Sequence, residues 1–166
     1  MKNTSTIMIL VTGGTFDKEY NEITGKLFFN ESNIKEMLDL GRCRIKVNIE
    51  KLMLKDSLDM EKNDRELIAN TCIKANADKI VITHGTDTMT ETAKVLSENI
   101  ENKTIVFTGA MIPYKFGASD GLFNLGSALT AVQILENGIY IAINGNIFKW
   151  DEVKKNRKKG TFESIS

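Results

Sequence analysis

The sequence has no excess charge of either sign: 22 Lys and Arg balance 22 Asp and Glu over 166 residues. Without a net field, neither nucleic acid nor an anionic membrane surface is an expected partner. No apolar run is long enough to cross a bilayer. The run at residues 7–11 is too short for a signal-peptide core and leads into Thr12-Gly13-Gly14 instead of a small-residue cleavage site. Cysteine is scarce: Cys43 and Cys72 fit no CxxC or ligand spacing, which points to two reduced thiols and a cytoplasmic location. His84 is the only histidine, which argues against a histidine-built metal site, so no metal is expected. Neither the GxGxxG of a dinucleotide loop nor the GxxxxGK of a P-loop occurs. Internal repeats and low-complexity linkers are also lacking.

What is present is a hydrophobic fraction of 42%, enough for a sizeable core in one domain spanning residues 1–166. Near-continuous apolar runs recur at residues 7–11, 45–54, 80–82, 105–107 and 139–143, the pattern of strands covered on both faces. Helical stripes lie between them: Ile34, Met37, Leu38; Leu67, Ile68, Cys72, Ala75; Ala93, Leu96, Ile100; and Leu122, Leu125, Leu129, Val132. Alternation of the two predicts a three-layer, doubly wound α/β fold with a mostly parallel sheet, whose ligand crevice lies beyond the carboxyl ends of the strands. Polar clusters follow those ends: Thr12 to Thr15, Asp56 to Asp59, Thr83 to Thr88, and Thr108 to Ala110.

Residues 16–30 are polar, with Gly25 at a turn, and suggest a hairpin or flap over the first loop. The tail from Asp151 carries Lys154, Lys155, Arg157, Lys158 and Lys159, a pattern that reads as a solvated helix face.

Two of the clusters carry chemistry. In Thr12-Gly13-Gly14-Thr15 paired glycines permit either a plain turn or a row of N–H groups facing an oxyanion. In Thr86-Asp87-Thr88, Thr88 and Glu91 fit a capping box for the stripe that starts at Ala93. Thr86 and Asp87 are surplus to capping. A hydroxyl becomes a nucleophile when a neighbour takes its proton, and a lysine of the basic tail, held by a carboxylate, is suited to that task. Ser57 and Asp59 have the ordinary reading of capping a helix that begins near Glu61.

TGGTF at 12–16, THGTDTMTETA at 83–93 and TGAMIPYKFGASDGLFNLGSAL at 108–129 together resemble the asparaginase family, over residues 9 to about 164. The resemblance implies hydrolysis of asparagine, or in some members glutamine, to the acid and ammonia, with no metal or cofactor and on a doubly wound α/β domain. It assigns Thr15 as nucleophile and Thr86 as the second threonine, working with a lysine and an aspartate. Asp87 takes the place of the carboxylate that grips the substrate amine. Lys155 is the matching lysine, with Lys154 as competitor, because the family's Asp-Val-Thr-Lys stands here as Glu152-Val153-Lys154-Lys155. Ser57 resembles the serine that binds the substrate carboxylate, Gly14 supplies backbone contact, Ala110 falls where a carbonyl lines the amide pocket, and Tyr20 is the candidate flap tyrosine.

Two departures accompany the matches. Leu58 stands where many members have an amine-binding glutamine, and the family's second, smaller domain has no counterpart in the sequence. The expected partners are a small amino-acid amide and further copies of the chain, as a dimer or tetramer. The competing readings are an amino-acid-binding or regulatory module with little catalysis, and a component of a tRNA-dependent amidotransferase.

Overall fold

The computed structural model describes residues 6–165. The chain runs through β1 (Ile7–Gly13), β2 (Lys18–Asn21), β3 (Lys26–Phe29), α1 (Ile34–Leu40), β4 (Val47–Lys55), α2 (Lys62–Lys74), β5 (Lys79–Thr83), α3 (Met89–Ser97), β6 (Thr104–Thr108), α4 (Gly121–Ile134), β7 (Gly138–Ile143), β8 (Asn146–Lys149), β9 (Val153–Asn156) and β10 (Thr161–Ser164). The central sheet has the order β4-β1-β5-β6-β7-β8. All its pairings are parallel except that of β7 with β8. That hairpin turns through Asn144 and Gly145, both at positive φ, a dipeptide suited to the right-handed twist of tight hairpins.

Alternation along β1 divides the core in two. Met8 and Leu10 point to the layer of α2 and α3, where they meet Ile68, Cys72, Ala93 and Leu96. Ile7, Ile9 and Val11 point to the layer of α1 and α4, against Met37, Leu125 and Leu129. This is the expected three-layer, doubly wound arrangement. Burying each such side chain contributes roughly 1.5–3 kcal/mol. Among the described residues no helix is long and apolar enough to cross a membrane.

Three expectations are corrected. The run at 45–54 is not covered on both faces: β4 is the edge strand, exposed from Asn48 to Lys51, and its Glu50 and Lys51 guard that edge against further pairing. On α2, Leu67 faces solvent and Arg65 is buried in the helix's inner face. The basic tail is an antiparallel hairpin, β9 with β10, and not a helix face. Strand alternation explains the difference, because Val153 is buried and Lys154 exposed while Phe162 packs on the core. The Asn156 carboxamide closes the turn by accepting from the N–H groups of Lys158 and Lys159 at 3.1 and 3.2 Å.

The hairpin expected within residues 16–30 is β2 with β3, turning through Gly25. β1 has β4 on one side and β5 on the other, so successive connections diverge at the carboxyl ends of β1 and β5. Doubly wound sheets open their crevice at this switch point.

Candidate active site

The crevice is built on glycine contacts. Gly14 has φ 83°, and a Cβ there would lie 2.4 Å from the backbone nitrogen of Gly85. Only a glycine lets the loop after β1 rest directly on the loop after β5. Thr15 and Thr86, each the residue following that contact, therefore flank it from opposite loops. Thr12 reinforces the junction by donating its hydroxyl to the Thr83 carbonyl at 2.7 Å. Thr15 opens a short 3-10 turn and is half-buried, whereas Thr86 is buried.

Gly85 also receives the loop after β4. A Cβ on Gly85 would stand 2.5 Å from Ser57 Oγ, so the serine lies against it. Ser57 is buried, and among the described residues its Oγ has no hydrogen-bond partner. The Thr88 hydroxyl donates to the Ser57 carbonyl at 2.8 Å, and Arg65 links the Met60 carbonyl at 2.6 Å to the Glu91 carboxylate at 3.0 Å. The expected Thr88–Glu91 capping box is thus absent: both side chains reach outward to hold the Ser57 loop. Nor do Ser57 and Asp59 cap α2, since the Asp64 carboxylate accepts from the Glu61 N–H at 2.8 Å.

His84 lies beneath this loop. Its Nδ1 faces the Gly85 carbonyl at 2.8 Å and so carries the proton, which leaves Nε2 to accept from the Thr92 hydroxyl at 2.8 Å. Complete burial pushes its pKa down to about 4, so the ring is a neutral strut at pH 7.

The lysine comes from the far end of the chain. Lys155 Nζ donates to Thr86 Oγ1 at 2.7 Å and to Asp87 Oδ1 at 2.9 Å. Lys154 points to solvent on the other face of β9. Arg157, at the start of the β9–β10 turn, places Nε 3.7 Å from the same Asp87 oxygen. Asp56 adds a second carboxylate at the rim and is bound by Lys18. Burial opposes its ionisation, but the Lys18 contact, the Leu58 N–H and the Lys155 charge together hold Asp56 below the ordinary carboxylate range.

Ala110 is buried in the loop after β6. That loop is pinned by Asn124 of α4 and by Asp120 just before it, two polar residues of the 108–129 segment to which the sequence assigns no role. Asn124 donates to the Gly109 carbonyl at 2.8 Å, and Asp120 accepts from the N–H groups of Met111 and Ile112 at 3.0 Å. Their signal was the position of both polar residues at the start of a mostly apolar helix. A Cβ on Gly109 would come within 3.1 Å of Thr86 Cγ2, so this loop adjoins the same threonine.

Tyr20 is the one candidate not brought to the cluster. It is exposed on β2, with its hydroxyl toward the hairpin's own Gly25. Leu58 is also exposed, at 61%, beside buried Ser57. Among the described residues no group of three His, Cys, Asp or Glu side chains is placed to hold a metal ion.

A family model described as "Asparaginase, N-terminal" matches residues 6–166. The chain belongs to the asparaginase family. L-asparaginase of Thermococcus kodakarensis is 32% identical over 96% of the chain and 51% of the relative. The solved structure of that enzyme superposes with a TM-score of 0.84. A probable cytoplasmic L-asparaginase from Campylobacter jejuni is 31% identical, with a TM-score of 0.80 over 96% of this chain and 53% of its own. One component of the glutamyl-tRNA(Gln) amidotransferase of Methanococcus vannielii is 32% identical over 87% of the chain and 35% of that component. The chain spans about half the length of the curated L-asparaginase that it matches over 96% of its own residues.

Proposed function

We propose that this domain is an amidohydrolase that converts L-asparagine, or a related small amide, to the acid and ammonia. The observation that carries the reading is the convergence of Lys155 with Thr86 and Asp87, 69 and 68 residues away in sequence, beside the loop that holds Thr15.

In this reading Thr15 Oγ1 attacks the amide carbon, and N–H groups at the Gly14 turn stabilise the oxyanion. The Thr15 proton passes through the Thr86–Lys155 pair to the amide nitrogen, which leaves as ammonia. Water then attacks the Thr15 ester and releases the acid, restoring the hydroxyl. Lys155 is suited to its part because its N–H donates to Thr86, which keeps the Thr86 O–H free to point into the crevice. The unpaired Ser57 hydroxyl takes the substrate carboxylate, Asp87 the ammonium and the Ala110 carbonyl the amide nitrogen. Tyr20 joins this set only through movement of the β2–β3 hairpin. No cofactor enters any step.

On the same reading the domain works in the cytoplasm as a dimer or tetramer. Ammonia release from L-asparagine, D-asparagine, L-glutamine and short β-amides tests the reading. Turnover of at least one of them, abolished in Thr86→Val, is expected; turnover of none by the folded protein overturns it.

Exposed Leu58, which offers no hydrogen bond beside Ser57, favours a second reading as an amino-acid-binding module with little catalysis. Calorimetry separates the two, since saturable binding of L-asparagine without ammonia release supports the module.

A further inference from the structure

Asp56 and Asp87 each already have a cation. Asp87 Oδ1 meets Lys155 Nζ at 2.9 Å and Arg157 Nε at 3.7 Å. Asp56 is bound by Lys18, whose ammonium also lies 5.7 Å from the centre of the Phe29 ring. Asp87 thus has two cations, Lys155 and Arg157, for one negative charge. The side chain next to the unpaired Ser57 hydroxyl is apolar Leu58.

These cations differ in how firmly they are held. The Lys155 side chain is 12% exposed and bonded to both Thr86 and Asp87, whereas that of Arg157 is 65% exposed and touches only the edge of the Asp87 carboxylate. Its backbone is nevertheless fixed, because Asn156 accepts from the Lys158 and Lys159 N–H groups and its carbonyl accepts from Gly160 N–H at 2.8 Å. The guanidinium is therefore tethered at the mouth and free to bend. An incoming ammonium at Asp87 meets its repulsion, whereas an incoming carboxylate is drawn to it. Arg suits that role because its planar fork binds carboxylates through two N–H groups and stays charged at all working pH values.

We propose that Arg157 is a specificity-determining residue, which turns the site toward dicarboxylic acid monoamides lacking an α-ammonium group and away from amino-acid amides. This deepens the amidohydrolase reading and rests on it for turnover, though the selectivity itself is one of binding. Arg157 takes no part in proton transfer, so its removal changes the relative KM of the two classes.

The test uses the full chain and its Arg157→Gln and Arg157→Lys variants at low ionic strength, where exposed charge pairs are least screened. Ammonia release is measured from succinic acid monoamide and from L-asparagine, and binding of succinate and L-aspartate is measured by calorimetry. The wild type is expected to favour the des-amino amide in kcat/KM by about two- to fivefold, within the range of an exposed charge pair. Arg157→Gln should erase the preference and Arg157→Lys retain part of it. A ratio unchanged by Arg157→Gln overturns the proposal. If neither amide is hydrolysed, a succinate preference that disappears in Arg157→Gln upholds the selectivity while the hydrolase reading fails. Absence of binding by either diacid overturns both.

Discussion

Lys155 Nζ lies 2.7 Å from Thr86 Oγ1, although 69 residues separate the two in sequence. The β9–β10 hairpin brings the lysine back over the carboxyl edge of the sheet, and strand alternation selects it over its neighbour. Lys155→Ala should lower ammonia release by about 10²-fold or more, the scale of a lost proton-transfer partner. Lys154→Ala should leave the rate within twofold. Equal effects of the two changes would remove the hairpin register from the explanation.

Thr88 is assigned to holding the Ser57 loop through the Ser57 carbonyl. Thr88→Val removes a buried hydrogen bond worth about 1 kcal/mol. Steady-state kinetics should show a severalfold rise in KM with kcat little changed, whereas a pure capping role for Thr88 would lower thermal stability and leave KM alone.

Gly14→Ala should destabilise the fold by at least about 2 kcal/mol, from positive-φ strain and from a Cβ set against the Gly85 backbone. Chemical denaturation of the variant measures this. Gly126→Ala is the control, since no heavy atom lies within 4 Å of a Cβ there.

Burial lifts the Asp17 pKa to about 6, against hydrogen bonds from the Asn33 N–H and the Ser32 hydroxyl that work the other way. Its folded value exceeds its unfolded one, so the stability it contributes is fully present below pH ~4 and is lost as pH rises through 6. His84 has the opposite sign: depressed to about 4, it contributes stability above pH ~6.5 that is lost as pH falls toward 4. The two slopes oppose each other between pH 4 and 6. Asp17→Asn should therefore unmask a rise in melting temperature with pH across that window, with its gain over wild type largest near pH 7. Parallel pH profiles for the two proteins would contradict the assignment.

The layers of the fold were legible in the sequence because parallel strands buried between helices need continuous apolar runs, and those at residues 7–11, 80–82, 105–107 and 139–143 mark β1, β5, β6 and β7. β4 misled, since an apolar run carries no mark of being at an edge. The basic tail misled for a similar reason: five cations in nine residues suit a helix surface as well as a hairpin, and only Val153 and Phe162 packing on the core settles the period. Thr86, Asp87 and Ser57 stood out as polar groups after strand ends. Thr88 and Glu91 did not reveal their use, because Thr-x-x-Glu serves local capping and long-range bonding equally well. Arg65 reaches Glu91 and Asn124 reaches Gly109 across long stretches of sequence, and no local pattern encodes such partners.

The most direct measurement of the central claim is a double-mutant cycle on ammonia release, with wild type, Thr15→Ala, Thr86→Val and the double variant assayed on the best amide substrate. If Thr15 and the Thr86–Lys155 pair act as one unit, each single change should cost about 10²–10⁴-fold and the double variant should be no slower than the slower single. Wild-type turnover in both single variants would contradict the account.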